Sequence, residues 1–215
     1  MKCTSEMMRL YAVTDRKWTG IQTLAQQVEE ALKGGVTCVQ LREKNLDEDS
    51  FLKEAIELKA ICHRYHVPLL INDNIKIAVQ SDADGVHLGQ KDMPVQEARK
   101  ILGENKIIGI TAKTVEQALN AQNHGADYLG SGAMFATSTK TDTYQIDYEI
   151  FKAICQAVEI PVVAIGGITE ENILQIAGLG MDGIALVSAI FSAENIQQTC
   201  QKLRRLSEQI VSGKV

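Results

Sequence analysis

No stretch of the 215 residues approaches the ~20 unbroken apolar residues of a membrane span, and Met1 to Met8 lack the apolar run of a secretory leader. A cytoplasmic protein with no membrane partner is expected. Positive charge is in short supply too: 22 Lys and Arg face 27 Asp and Glu, for a net charge of -5. That balance argues against a broad nucleic-acid or acidic-membrane surface, so an anionic ligand must be held locally by a few side chains. Cys3, Cys38, Cys62, Cys155 and Cys200 are odd in number and form no CxxC pair. Neither a disulfide framework nor a zinc knuckle is expected, and the thiols are read as reduced and mostly buried. At 45% hydrophobic and 23% charged, the chain has the composition of an ordinary globular protein with a full core.

What is present is a repeated unit: a short β-branched run, a polar turn and an amphipathic stretch of helical length. Eight strand-like runs are expected at Leu10–Thr14, Val36–Leu41, Pro68–Asn72, Gly85–Leu88, Ile107–Thr111, Ala126–Gly130, Pro161–Ile165 and Gly183–Val187. Eight helix-like stretches lie near Gln22–Lys33, Asp49–Tyr65, Ile75–Gln80, Pro94–Leu102, Val115–His124, Asp147–Val158, Glu170–Ala177 and Ala193–Val211. With no Pro/Ser-rich linker between them, they predict an α/β fold, a single (β/α)8 barrel over residues 9–215, preceded by a flexible segment over residues 1–8.

In such a barrel the reactive residues belong on the loops at the C-terminal ends of the strands. Arg42 and Lys44 follow the second run, Asn72 and Asp73 the third, Gln90 and Asp92 the fourth, Thr111 and Lys113 the fifth. A long Thr-rich loop from Ala133 to Gln145, carrying Lys140 midway, is expected to act as a lid. Gly166-Gly167 and Ser188 follow the last two runs, where this fold often holds a phosphate. Asp73 and Asp92 leave adjacent strands and offer two hard oxygen ligands that suit Mg2+, although each alone could simply cap the next helix. Arg42, Lys44 and Lys140 in their company fit a pyrophosphate and metal clamp. Of the histidines, His63, His66 and His124 read as surface or helix-end residues, and His87 faces either the mouth or the core. No Ser/His/Asp or Cys/His nucleophile emerges.

Tyr11-Ala12-Val13-Thr14-Asp15, Gln40-Leu41-Arg42-Glu43-Lys44, Ile71-Asn72-Asp73-Asn74, Gly85-Val86-His87-Leu88-Gly89-Gln90 with Asp92 close behind, Thr137-Ser138-Thr139-Lys140, Ala164-Ile165-Gly166-Gly167-Ile168 and Val187-Ser188-Ala189-Ile190 occur in this order. Together they resemble the thiamine phosphate synthase family from about Leu10 to Ile190. The resemblance implies a transferase of thiamine biosynthesis. Its two small-molecule substrates would be 4-amino-2-methyl-5-hydroxymethylpyrimidine diphosphate and a thiazole phosphate, and its products thiamine phosphate and pyrophosphate. It implies that Gln40, Arg42, Lys44, Asn72, Thr111 and Lys140 hold the pyrimidine diphosphate, with Asp73 and Asp92 on Mg2+. Thr137, Thr139, Gly167, Val187 and Ser188 would hold the thiazole phosphate. Arg42, Lys44, Thr111 and Lys140 would serve a dissociative reaction in which pyrophosphate leaves before the thiazole nitrogen attacks. Thr111 stands where the family often has Ser, Lys113 where it often has His, and Ala133 where proline is frequent. Two alternatives are a thiazole tautomerase, a related barrel expected to lack the full diphosphate clamp, and a non-catalytic phosphate-binding protein on the same scaffold.

Overall fold

In Leu10-Tyr11-Ala12-Val13 successive side chains go to opposite faces: Leu10 and Ala12 pack among the helices, Tyr11 and Val13 inside the barrel. The same alternation builds every strand in the computed structural model, which describes residues 3–137 and 145–213. The strands are β1 (Leu10–Val13), β2 (Cys38–Leu41), β3 (Leu69–Asn72), β4 (Gly85–Leu88), β5 (Ile107–Thr111), β6 (Tyr128–Gly132), β7 (Val162–Ile165) and β8 (Gly183–Leu186). All pair in parallel with their neighbours, and β8 pairs with β1, which closes the barrel. The (β/α)8 architecture expected from the repeat is the one observed.

The outer layer contains α1 (Leu24–Lys33), α2 (Glu48–Arg64), α3 (Ile75–Gln80), α4 (Val95–Leu102), α5 (Val115–Asn123), α6 (Tyr148–Ala157), α7 (Ser188–Phe191) and α8 (Ile196–Val211). Side chains of Thr23, Asp47, Asn74, Thr114, Asp147 and Asn195 accept backbone N–H groups at the starts of six of these helices. No helix among the described residues is long and apolar enough to cross a membrane. The stretch Glu170–Ala177, expected as a helix, is only a single 3-10 turn over Ile173–Ile176. Asn172 is the reason: its Oδ1 accepts from Thr169 N at 2.8 Å and its Nδ2 donates to Gly167 O at 2.9 Å, a local arrangement that competes with a regular helix. The short α7, in turn, was not expected.

The floor of the barrel, at the N-terminal ends of the strands, is densely filled. Met8, Tyr11, Cys38, Leu70, Ile107 and Tyr128 form an inner core with Val163 and Ala185, and Tyr11 meets Tyr128 edge to face at 5.9 Å. Of the segment 1–8, expected as flexible, the described residues 3–8 contribute to this floor: Met8 is fully buried and Cys3 packs against the same cluster. Ser207 Oγ on α8 donates to Arg9 O at 2.5 Å and fastens the segment from outside. Gly183 is required here, because a Cβ would lie 2.0 Å from Met8 O.

Every second strand is preceded by a polar residue that clasps the strand before it. Asp84 accepts from Leu69 N at 2.8 Å while its own N–H donates to Leu69 O at 2.9 Å. Asp127 does the same with Ile108 at 2.8 and 2.7 Å, and Asp182 with Val162 at 2.9 and 2.8 Å. Thr37 Oγ1 takes that role toward Leu10 N at 2.9 Å. Each clasp satisfies a strand-end N–H that would otherwise be buried without a partner.

Candidate active site

The opposite end of the barrel opens into a cavity of about 820 Å³. Its walls include Gln40, Arg42, Lys44, Asn72, Asp73, Asp92, Thr111, Thr137, Gly167, Val187 and Ser188, all of which the sequence placed at the strand ends or in the lid. Thr139 and Lys140 lie outside the described residues. Four cations, Arg42, Lys44, Lys91 and Lys113, face two carboxylates, Asp73 and Asp92, on this one surface. A chain with an overall charge of -5 therefore carries a local positive excess where an anion would enter.

The backbone turns sharply to present the carboxylates. Asp73 has φ of 60°, a left-handed conformation uncommon for a residue with a Cβ, and its N–H is held by His87 O at 2.9 Å. Its side chain accepts from Lys44 Nζ at 2.5 Å and from Asn72 Nδ2 at 3.0 Å. Asp92 folds back so that Oδ2 accepts from Gly89 N at 2.6 Å. Burial pushes the Asp92 carboxyl above the usual carboxylate range, and the Asp73 carboxylate within hydrogen-bonding reach pushes it the same way; Gly89 N–H and Lys44 oppose the rise. Lys44, paired with Asp73, offsets only part of the repulsion between the two carboxylates. Asn72 Oδ1, beside them, is buried without a hydrogen-bond partner among the described residues.

These groups fit a hard divalent cation: the donors are all oxygen, and like charges already converge. Among the described residues no group of three or more His, Cys, Asp and Glu could hold a metal ion. Any Mg2+ held here would therefore complete its shell with water and substrate oxygens, as this ion usually does.

Across the mouth, Gly166 and Gly167 have φ of 99° and 68°. The loop after β6 lies directly against them, with Phe135 N donating to Gly166 O at 2.9 Å. A Cβ on Gly167 would meet Ala136 O at 2.5 Å, so close packing alone already demands glycine. The same bare backbone lines the cavity beside Val187 and Ser188 and leaves room for an anion.

His87 settles the alternative left open by the sequence. It points inward, with Nδ1 at 2.8 Å from Tyr128 Oη and Nε2 at 3.0 Å from Thr111 Oγ1, and it lines the cavity. Tyr11 and Tyr128 were missed as polar participants. Their hydroxyls lie 2.8 Å apart at the bottom of the cavity, and Gln40 Nε2 donates to Tyr11 Oη at 2.6 Å. The sequence signal was the alternation itself: Val86 and Leu88 pack outward in the main core, which leaves His87 for the interior.

Comparison with known proteins agrees with this geometry. The family model described as Thiamine monophosphate synthase matches residues 10–190. Curated relatives include a thiamine-phosphate synthase of Ruminiclostridium cellulolyticum, 50% identical over 90% of this chain and 92% of its own. That of Clostridium acetobutylicum is also 50% identical, over 88% and 90%. Among solved structures, a thiamine phosphate pyrophosphorylase from Pyrococcus furiosus superposes with a TM-score of 0.88 at 37% identity, covering 96% of this chain and 98% of that one.

Proposed function

The chain belongs to the thiamine monophosphate synthase family and is a transferase that makes thiamine phosphate, and from that premise we propose how its cavity carries out the reaction. The observation that carries the proposal is the meeting, at one mouth, of the Asp73 and Asp92 carboxylates with Arg42, Lys44 and Lys113 opposite the bare Gly166-Gly167 backbone. One side suits a diphosphate, the other a monophosphate.

Arg42 and Lys44 bind and orient the diphosphate of 4-amino-2-methyl-5-hydroxymethylpyrimidine diphosphate, together with Asn72 and Lys140. Gln40 and Thr111 hold its ring. Thr137, Thr139, Gly167, Val187 and Ser188 hold the thiazole phosphate so that its nitrogen faces the pyrimidine methylene. Asp73 and Asp92 would hold Mg2+, which would supply charge neutralisation for the leaving pyrophosphate. The C–O bond to pyrophosphate breaks first, its electron pair departing with the oxygen, and the thiazole nitrogen then donates a pair to the methylene carbon. Lys140 follows the growing negative charge on the leaving group and so binds the transition state better than the ground state. No protein nucleophile is required. Positioning and preorganised charge suffice for such a step.

The test is pyrophosphate release on mixing both substrates with Mg2+. Stoichiometric pyrophosphate and thiamine phosphate, formed only when both substrates are present, are expected. Isomerisation of the thiazole phosphate without metal, or binding without turnover, would replace this mechanism with that of a tautomerase or a phosphate-binding protein.

A further inference from the structure

Five side chains from five strands form an unbroken series across the barrel: Gln40 on β2, Tyr11 on β1, Tyr128 on β6, His87 on β4 and Thr111 on β5. Both ends line the cavity, and the two hydroxyls in the middle are buried. Burial pushes both phenols well above their ordinary pKa, so each hydroxyl keeps its single proton to donate.

The proton order then follows from one end. The Gln40 amide nitrogen can only donate, so Tyr11 Oη accepts there and must send its own proton elsewhere. Tyr128 Oη, at 2.8 Å, is the remaining oxygen partner; the neighbouring Cys38 thiol is a weak acceptor. Tyr128, having accepted, passes its proton to His87 Nδ1 at 2.8 Å. An imidazole that accepts at Nδ1 carries its proton on Nε2, which donates to Thr111 Oγ1 at 3.0 Å. Thr111 is left with a hydroxyl proton to give, and Gln40 with a carbonyl oxygen to receive one.

We propose that Tyr11, Tyr128 and His87 are positioning residues, forming a one-way hydrogen-bond chain that makes Gln40 present an acceptor and Thr111 a donor to the aminopyrimidine substrate. An exocyclic amino group next to a ring nitrogen offers the complementary pair, a donor beside an acceptor. A ring with an exocyclic carbonyl and a protonated ring nitrogen offers the reverse and leaves both protein groups unsatisfied. The chain thus selects the amino form of the substrate from beneath, through residues that carry no charge. The ligand in this statement rests on the functional reading above; the direction of the chain does not.

Two readouts test it on the full chain. In ligand-free protein labelled with 15N-histidine, with the His87 signals assigned by their loss in His87→Gln, the neutral Nε2–H tautomer is expected. A proton on Nδ1, whether as the other tautomer or as imidazolium, overturns the chain's direction. In Tyr11→Phe the Tyr128 proton is no longer committed, so His87 should populate both tautomers. The KM for the pyrimidine diphosphate should rise roughly tenfold, the scale of one buried hydrogen bond, with the KM for thiazole phosphate unchanged. Any other pairing of these two results overturns the proposal, including an equal rise in both KM values. Should Tyr11→Phe fail to fold, the wild-type spectrum alone decides the direction. Failure of the wild type to release pyrophosphate would instead remove the functional reading and leave the tautomer result intact.

Discussion

The two ends of this barrel use the same residue type to opposite purposes. At the floor, Asp84, Asp127 and Asp182 each turn a carboxylate oxygen onto a backbone N–H, and every one of those bonds is 2.8 or 2.9 Å long. At the mouth, Asp73 adopts a left-handed backbone, Asp92 stands within reach of it, and Asn72 Oδ1 has no partner among the described residues. The floor satisfies its polar groups internally. The mouth gathers charged and polar groups that the chain satisfies only in part, which separates the residues that keep the barrel closed from those of the proposed substrate site.

Substitutions at the two ends should therefore fail in different assays, and the largest effect is expected at the mouth. Lys140→Ala should lower kcat on the order of 10²–10³-fold, the scale of losing one preorganised charge donor, with thiazole phosphate KM and Tm nearly unchanged. Lys140→Arg should recover part of the loss. Asp73→Ala and Asp92→Ala should raise the Mg2+ concentration needed for half-maximal rate; full activity at low Mg2+ would remove them from the metal site.

At the floor the expected loss is in stability. Gly183→Ala pushes a methyl group to 2.0 Å from Met8 O, where backbone must move, and should cost about 1–3 kcal/mol in chemical denaturation with kcat intact. Asp127→Ala strands Ile108 N–H and removes the carboxylate partner of Arg99, whose Nη2 lies 2.6 Å from it, while the Arg99 bonds to backbone carbonyls remain. About 1–3 kcal/mol is expected for that buried, unsatisfied donor. A fall in kcat without a fall in stability for either variant would break the division between the two ends.

The smallest effect sharpens the comparison at the protein's surface. Asp82 is highly exposed, yet Lys106 and Lys59 hold its carboxyl down to about 2 from an unperturbed 3.8. A folded-state pKa below the unfolded one adds stability that is present above the unfolded value and lost as the pH falls toward the folded one. Asp82→Asn should lower Tm slightly at neutral pH, with the difference from wild type shrinking from about pH 4 down to about pH 2.

Strands were legible because their alternation has to match two different cores, and a sequence such as Leu10-Tyr11-Ala12-Val13 fits only one orientation. Helices were legible where a Thr, Asp or Asn cap preceded an amphipathic run, as at Thr23 and Asp147. The stretch after Gly167 failed that logic because Asn172 spends its side chain on Thr169 and Gly167, partners whose proximity arises only in the folded loop. Arg42, Lys44, Asn72, Asp73, Asp92, Thr111, Gly167 and Ser188 were legible as cavity residues from position, since the fold assigns strand ends to one face, whereas Lys91 on the same wall was missed and Val187 came only with the family resemblance. The polar series through Tyr11, Tyr128 and His87 was not. An inward tyrosine in a strand reads as core, and only the closed barrel shows that residues 117 positions apart share a hydrogen bond.

The clasps at the floor also divide the chain into portable parts. Thr37 joins β1 to β2, Asp84 joins β3 to β4, Asp127 joins β5 to β6 and Asp182 joins β7 to β8, so the barrel is assembled from four cassettes, each closed on itself. The polypeptide should tolerate new ends wherever a cut falls between cassettes. A circular permutant opened at Glu104, in the exposed turn between α4 and β5, keeps all four closures. One opened at the equally exposed Gly178 severs β7 from β8 within a cassette, and should refold the more slowly of the two.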